Sequence, residues 1–70
     1  MRYRVNQFDS RFPSQPCRLS ERKPSKQAAQ ETAQGWVSCP GRWADVVSGG
    51  ILVMRYWRDG EGMQFMEYGK

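Results

Sequence analysis

The groups able to do chemistry are few. Nucleophilic and acid–base catalysis need a nucleophile held beside a base, and no histidine is present to activate a serine or a cysteine. Seven carboxylates remain: Asp9, Glu21, Glu31, Asp45, Asp59, Glu61 and Glu67. Their spacing marks no acid–base pair, and several sit beside turns or on faces expected to meet solvent. Cys17 and Cys39 form no C-x-x-C motif, and two thiolates without histidine make a poor zinc site. Gly49-Gly50 and Gly60/Gly62 fall between strands, not between a strand and a helix, so they serve turns and not a phosphate loop. The chain therefore does not read as an enzyme, and neither a metal nor another cofactor is expected.

What remains is the chemistry of recognition. The net charge of +4 is unevenly placed. Residues 1–26 hold Arg2, Arg4, Arg11, Arg18, Arg22, Lys23 and Lys26 against Asp9 and Glu21, a net of +5, and the rest of the chain carries −1. Steering of an anionic partner would come from that N-terminal third. Three Trp, three Tyr and three Phe are many for seventy residues. They bury the most area per side chain, which a short chain needs, and they are also the residues that anchor interfaces or stack on bases.

These groups must be positioned by a small α+β domain spanning 1–70. "RYRVNQF" alternates, with Tyr3, Val5 and Gln7 on one face and Arg2, Arg4 and Asn6 on a basic outer face, as in a half-buried strand. Residues 9–24, rich in proline and serine, read as a long basic loop, within which "CRLS" has room for a short edge strand. "SKQAAQETAQGW" is the one helix, with Ser25 as N-cap and Gly35 placed to end it. Its alanine face (Ala28, Ala29, Ala33) suits close approach to a sheet. "RWADVV", "ILVMRYW" and "MQFMEY" then make strands joined by glycine turns. The order β-loop-α-β-β-β predicts one short helix packed on a mostly antiparallel sheet of three to four strands.

The final hairpin is apolar on both sides. With Asp59-Gly60 as a two-residue turn, Tyr56 pairs with Met63, Met54 with Phe65 and Leu52 with Glu67. The opposite face holds Ile51, Val53, Arg55 and Trp57 with Gln64, Met66 and Tyr68. One alanine-faced helix covers one side only. The amphipathic side, with Arg55, Trp57, Gln64 and Tyr68, is expected outward, either beneath the 9–24 loop or as a partner-binding patch. Self-association through the sheet, giving a homodimer, is the third outcome.

In size and lack of catalytic motif the chain is similar to the small accessory proteins of phages and mobile elements, including anti-CRISPR inhibitors. That similarity implies a stoichiometric binding protein that docks on a protein or nucleoprotein surface. The alternative is direct nucleic-acid binding, with Arg2, Arg4, Arg22, Lys23 and Lys26 on phosphates and Trp57 or Tyr56 stacked on bases. No apolar run is long enough to cross a bilayer, and "MRYRVNQFDS" lacks the apolar core of a signal peptide. The expected compartment is the cytoplasm. There two thiols at Cys17 and Cys39 are expected, although the neighbouring Pro16 and Pro40 leave room for a bridge.

Overall fold

The structure, a computed structural model, describes residues 2–11, 18–38 and 40–68. Cys17 and Cys39, and with them the choice between thiols and a bridge, lie outside the described residues. The chain runs β1 (Tyr3–Asp9), β2 (Leu19–Lys23), α1 (Lys26–Trp36), β3 (Arg42–Ser48), β4 (Ile51–Asp59) and β5 (Gly62–Glu67). The five strands form one sheet in the order β2-β1-β3-β4-β5, with every neighbouring pair antiparallel.

Five strands replace the predicted three to four. The added one is β2, inside the stretch 9–24: it overlaps at Leu19–Ser20 the short edge strand for which "CRLS" left room, and it pairs from Tyr3↔Lys23 to Gln7↔Leu19. Its sequence, Leu-Ser-Glu-Arg-Lys, carries no period of two because its side chains are exposed along nearly the whole strand. At a sheet edge the strand is held by its backbone, and charges on it discourage further pairing.

The helix begins as its sequence predicts. The Ser25 hydroxyl accepts the Ala28 N–H at 3.2 Å, the bond expected of an N-cap. It ends differently. Gly35 lies within the helix, which runs on to Trp36 with Val37 as its C-cap. Two side chains from the sheet satisfy the last carbonyls in place of a glycine turn: Gln7 Nε2 donates to the Trp36 carbonyl at 2.8 Å and Arg58 Nε to the Val37 carbonyl at 2.7 Å. The cation also sits at the negative end of the helix dipole.

Ala29, Ala33 and Val37 pack against Val5, Ala44, Val46, Met54 and Tyr56 to form the core. With methyl groups as its contact face, α1 lies close over β1 and β3. It meets β5 through the Lys26–Glu67 ion pair and leaves Phe65 60% exposed and Met63 38% exposed.

In the final hairpin the register differs by two residues from the predicted one. Asp59 pairs with Gly62, Arg58 with Met63, Tyr56 with Phe65 and Met54 with Glu67. The turn residues are thus Gly60-Glu61, and the Asp59 carboxylate fixes the turn by accepting the Glu61 N–H at 2.8 Å. A slip of two preserves which side chains share a face. Between Val46↔Met54 and Val47↔Leu52 the β3–β4 register shifts by one, which leaves Val53 as an extra, bulged residue. The Val53 carbonyl accepts the Tyr68 N–H at 2.8 Å. Gly49 and Gly50 turn β3 into β4 with φ of 60° and 80°, values a side-chain-bearing residue adopts only at a cost. Among the described residues no helix is long and apolar enough to cross a membrane.

Candidate interaction face

Among the described residues the sheet has one covered and one open side; residues 12–17 of the loop expected over that side lie outside them. Alternation in β1 sends Val5, Gln7 and Asp9 to the helix side and Arg4, Asn6 and Phe8 to the other. The registers extend that second face across the sheet. Arg4 lies opposite Arg22 on β2 and Val47 on β3, and Asn6 lies between Ser20 and Asp45. Phe8 faces Trp43, Trp43 faces Trp57, and Trp57 faces Gln64. Among the described residues no element crosses this face. Antiparallel sheets tolerate one solvated side, but usually a polar one.

Along one cross-strand row the face is aromatic. Phe8 and Trp43 stack with centroids 5.3 Å apart and planes inclined by 15°. Trp57 continues the row on β4, and all three rings are half-buried. Around Trp43 and Trp57 lies a shallow hollow of about 350 Å³, rimmed by Ser10, Arg42, Arg55 and Arg58.

The next row is polar and internally satisfied. The Ser20 hydroxyl donates to Asn6 Oδ1 at 2.7 Å and accepts from Arg4 Nη1 at 2.8 Å. Arg55 makes a two-pronged pair with Asp45, Nε to Oδ1 at 2.6 Å and Nη2 to Oδ2 at 3.0 Å. Its Cζ lies 5.9 Å from the centre of the Trp43 ring. The Asp45 hydrogen bond raises the Arg55 pKa against the opposing effect of desolvation, and Asp45 and Tyr68 add Coulombic support. Asp45 is 7% exposed, so this pair is a fixture of the face and its charges largely cancel.

The four residues expected to bind a partner are brought together here. Trp57 pairs with Gln64, and Arg55 with Met66 at the neighbouring step. Tyr68 follows β5 and acts electrostatically on Arg55. Tyr68 is exposed, whereas Trp57 and Gln64 are half-buried. Phe8, Trp43, Asn6 and Asp45 belong to the same face and had not been assigned to it. Phe8 follows from extending the alternation of β1 by one step. Trp43 needs the bulge at Val53: without that shift the ladder from Ser48↔Ile51 would set it opposite Tyr56 on the covered face.

The seven basic residues of the N-terminal third are separated. Asp9, its side chain fully buried, gathers Arg11 (Nη2 at 2.8 Å), Arg42 (Nε at 3.1 Å) and Arg18 (Nη1 at 3.6 Å) at one end of the sheet. The Arg11 side-chain and backbone hydrogen bonds, followed by that from Arg42, hold the Asp9 carboxyl well below the usual carboxylate range, despite burial. Lys23 pairs with Glu21 at 2.7 Å, and Lys26 with Glu67 at 3.5 Å. Arg2, Arg4 and Arg22 have no such ion pair among the described residues, and they line one open depression of about 300 Å³.

No family model, curated protein or solved structure matches this chain. Its chemistry must be read from the face itself. Among the described residues no three His, Cys, Asp or Glu side chains converge as a metal site requires. The large groups that converge are aromatic rings and guanidinium ions, which bind by contact and charge.

Proposed function

We propose that the chain is a small non-catalytic binding protein that docks the open face of its sheet on a protein or nucleoprotein surface, in the manner of an inhibitor or accessory factor of a phage or mobile element. One observation carries this reading: the helix is used up on one side of the sheet, while the row Phe8–Trp43–Trp57 and the Asp45–Arg55 pair occupy the other. Rigid aromatic rings beside a pre-oriented arginine are the usual composition of an energetic hot spot. Little entropy is lost on docking because the arginine is already fixed. A cytoplasmic setting is part of the same reading.

Direct binding of nucleic acid is the second reading. It is favoured by the three arginines that, among the described residues, have no carboxylate partner and stand at the corner of the same face.

The test is a Trp57→Ala variant, checked by circular dichroism and used beside the parent protein in quantitative capture of a partner from cell extract. The expected result is a folded variant with at least tenfold weaker capture, on the order of the loss of one hot-spot residue. Capture that is unchanged in a folded variant removes the open face from the interface.

A further inference from the structure

We infer that Arg2, Arg4 and Arg22 form a phosphate-binding site that takes the backbone of a single-stranded nucleic acid. The inference rests on the reading of the open face as the docking side, and the charges of the structure carry it. Asp9, Glu21, Asp45 and Glu67 hold Arg11, Arg18, Arg42, Lys23, Arg55 and Lys26 in ion pairs. Arg58 is committed to the Val37 carbonyl. Among the described residues, three arginines without a carboxylate partner therefore stand together at the corner where β1, β2 and the β3–β4 turn meet, whereas the other cluster, three arginines on Asp9, is anchored by that carboxylate at the far end of β1.

The geometry at that corner suits phosphate. Arg4 and Arg22 are direct cross-strand partners, so two like charges oppose one another. Such a pair is unfavourable until an anion is placed between its members. Arg4 makes one side-chain hydrogen bond, to the neutral Ser20 hydroxyl, which orients it without cancelling its charge. Arg2 follows the same alternation two residues earlier, about 7 Å along the strand. That is close to the separation of neighbouring phosphates in an extended strand. The Ser48 hydroxyl donates to the Arg2 carbonyl at 3.1 Å and ties this end of the chain to β3. Val47, Gly49 and Gly50 complete the depression. A Cβ added at either glycine would meet nothing within 4 Å, so the turn leaves the approach open.

The rest of the face selects the kind of phosphate. Phe8 stands four residues beyond Arg4 on the same side of β1, about 13 Å away, and begins the aromatic row. Between them Asp45 is neutralised by Arg55, so no free carboxylate bars the path. A single strand can lay its backbone on the arginines and its unstacked bases towards Trp43 and Trp57. A duplex keeps its bases stacked inside, and a phosphopeptide would use the corner alone.

The probe is an oligothymidylate of about eight nucleotides, a length within the range for single-strand binding sites. It is titrated at several salt concentrations, with amide NMR signals and tryptophan fluorescence followed. The expected result is movement of the Val47, Gly49 and Gly50 amides. Log affinity should fall against log salt with a slope of roughly −1.4 to −2.1, two to three phosphates at about −0.7 each. The double variant Arg4→Ser/Arg22→Thr, its fold checked by circular dichroism, should weaken binding by roughly tenfold at low salt and flatten the slope by about 1.4. Trp57→Ala should lose affinity and quenching but keep the slope. The site is overturned by an absence of binding at low salt, by an unchanged slope in the double variant, or by tighter binding of a phosphoserine peptide. If it is overturned while Trp57→Ala still abolishes partner capture, the docking reading stands without it.

Discussion

Buried charge is used in two ways among single residues. Asp9 is a structural anion: its oxygens accept from Arg11 and Arg42, with Arg18 close by, and it organises the chain where β1 ends. Its folded-state pKa lies below its unfolded one. The stability it contributes is therefore complete above the unfolded value, near 4, and is lost as pH falls through the lower folded value. Asp9→Asn should lower the thermal midpoint more than Glu31→Gln at pH 7, and the difference should shrink only in strong acid, as thermal melts across a pH series will show. Asp45 serves the face instead. Asp45→Asn should cost about 1–2 kcal/mol, below the range for a fully buried pair because the Arg55 side chain is 39% exposed and regains water. Arg22→Thr should do the opposite. Removing one member of an opposed like-charge pair should stabilise the fold by about 0.2–1 kcal/mol in urea titrations.

At the scale of elements, local signals and distant ones separate cleanly. The start of α1 is legible in Ser25 because the cap bond is made within three residues. Its end is not, because the groups that satisfy it, Gln7 and Arg58, come from β1 and β4. Arg58→Ala should therefore destabilise the protein by about 1–2 kcal/mol in a urea titration, through a lost carbonyl bond and a lost dipole partner. The alanine face of α1 is a distance constraint. Ala33→Leu adds volume where none is free and should cost about 1–3 kcal/mol, measured the same way. β2 was legible only at Leu19–Ser20, within "CRLS"; the rest carries no hydrophobic period, since an exposed edge strand is not selected for alternation. The last hairpin was half legible. Face membership depends on parity, which survives a slip of two, whereas register depends on which residues form the turn.

For the molecule as a whole, composition tells how much and topology tells where. The sequence reveals a surplus of four positive charges but not that, among the described residues, three arginines without carboxylate partners gather at one corner while three others share Asp9 at the far end of β1. It places Arg55, Trp57, Gln64 and Tyr68 on one face, yet Trp43 joins them only through the β3–β4 register shift at Val53. The two rims of the sheet also differ. Tyr68 directs its N–H towards β4, so by alternation Met63, Phe65 and Glu67 turn their backbone groups outwards. Their rim carries exposed apolar side chains on both sides, including Phe65 and Met66. The opposite rim, β2, would have to bury Glu21, Arg22 and Lys23 to accept a strand. Among the described residues β5 is thus the rim suited to a second copy, and a two-fold β5–β5 contact would consume that rim in each. Sedimentation at rising concentration should show monomer and dimer with nothing larger, and Phe65→Lys should leave monomer alone. With one apolar and one charged rim among the described residues, growth by strand pairing would stop at a pair instead of running on into a fibre.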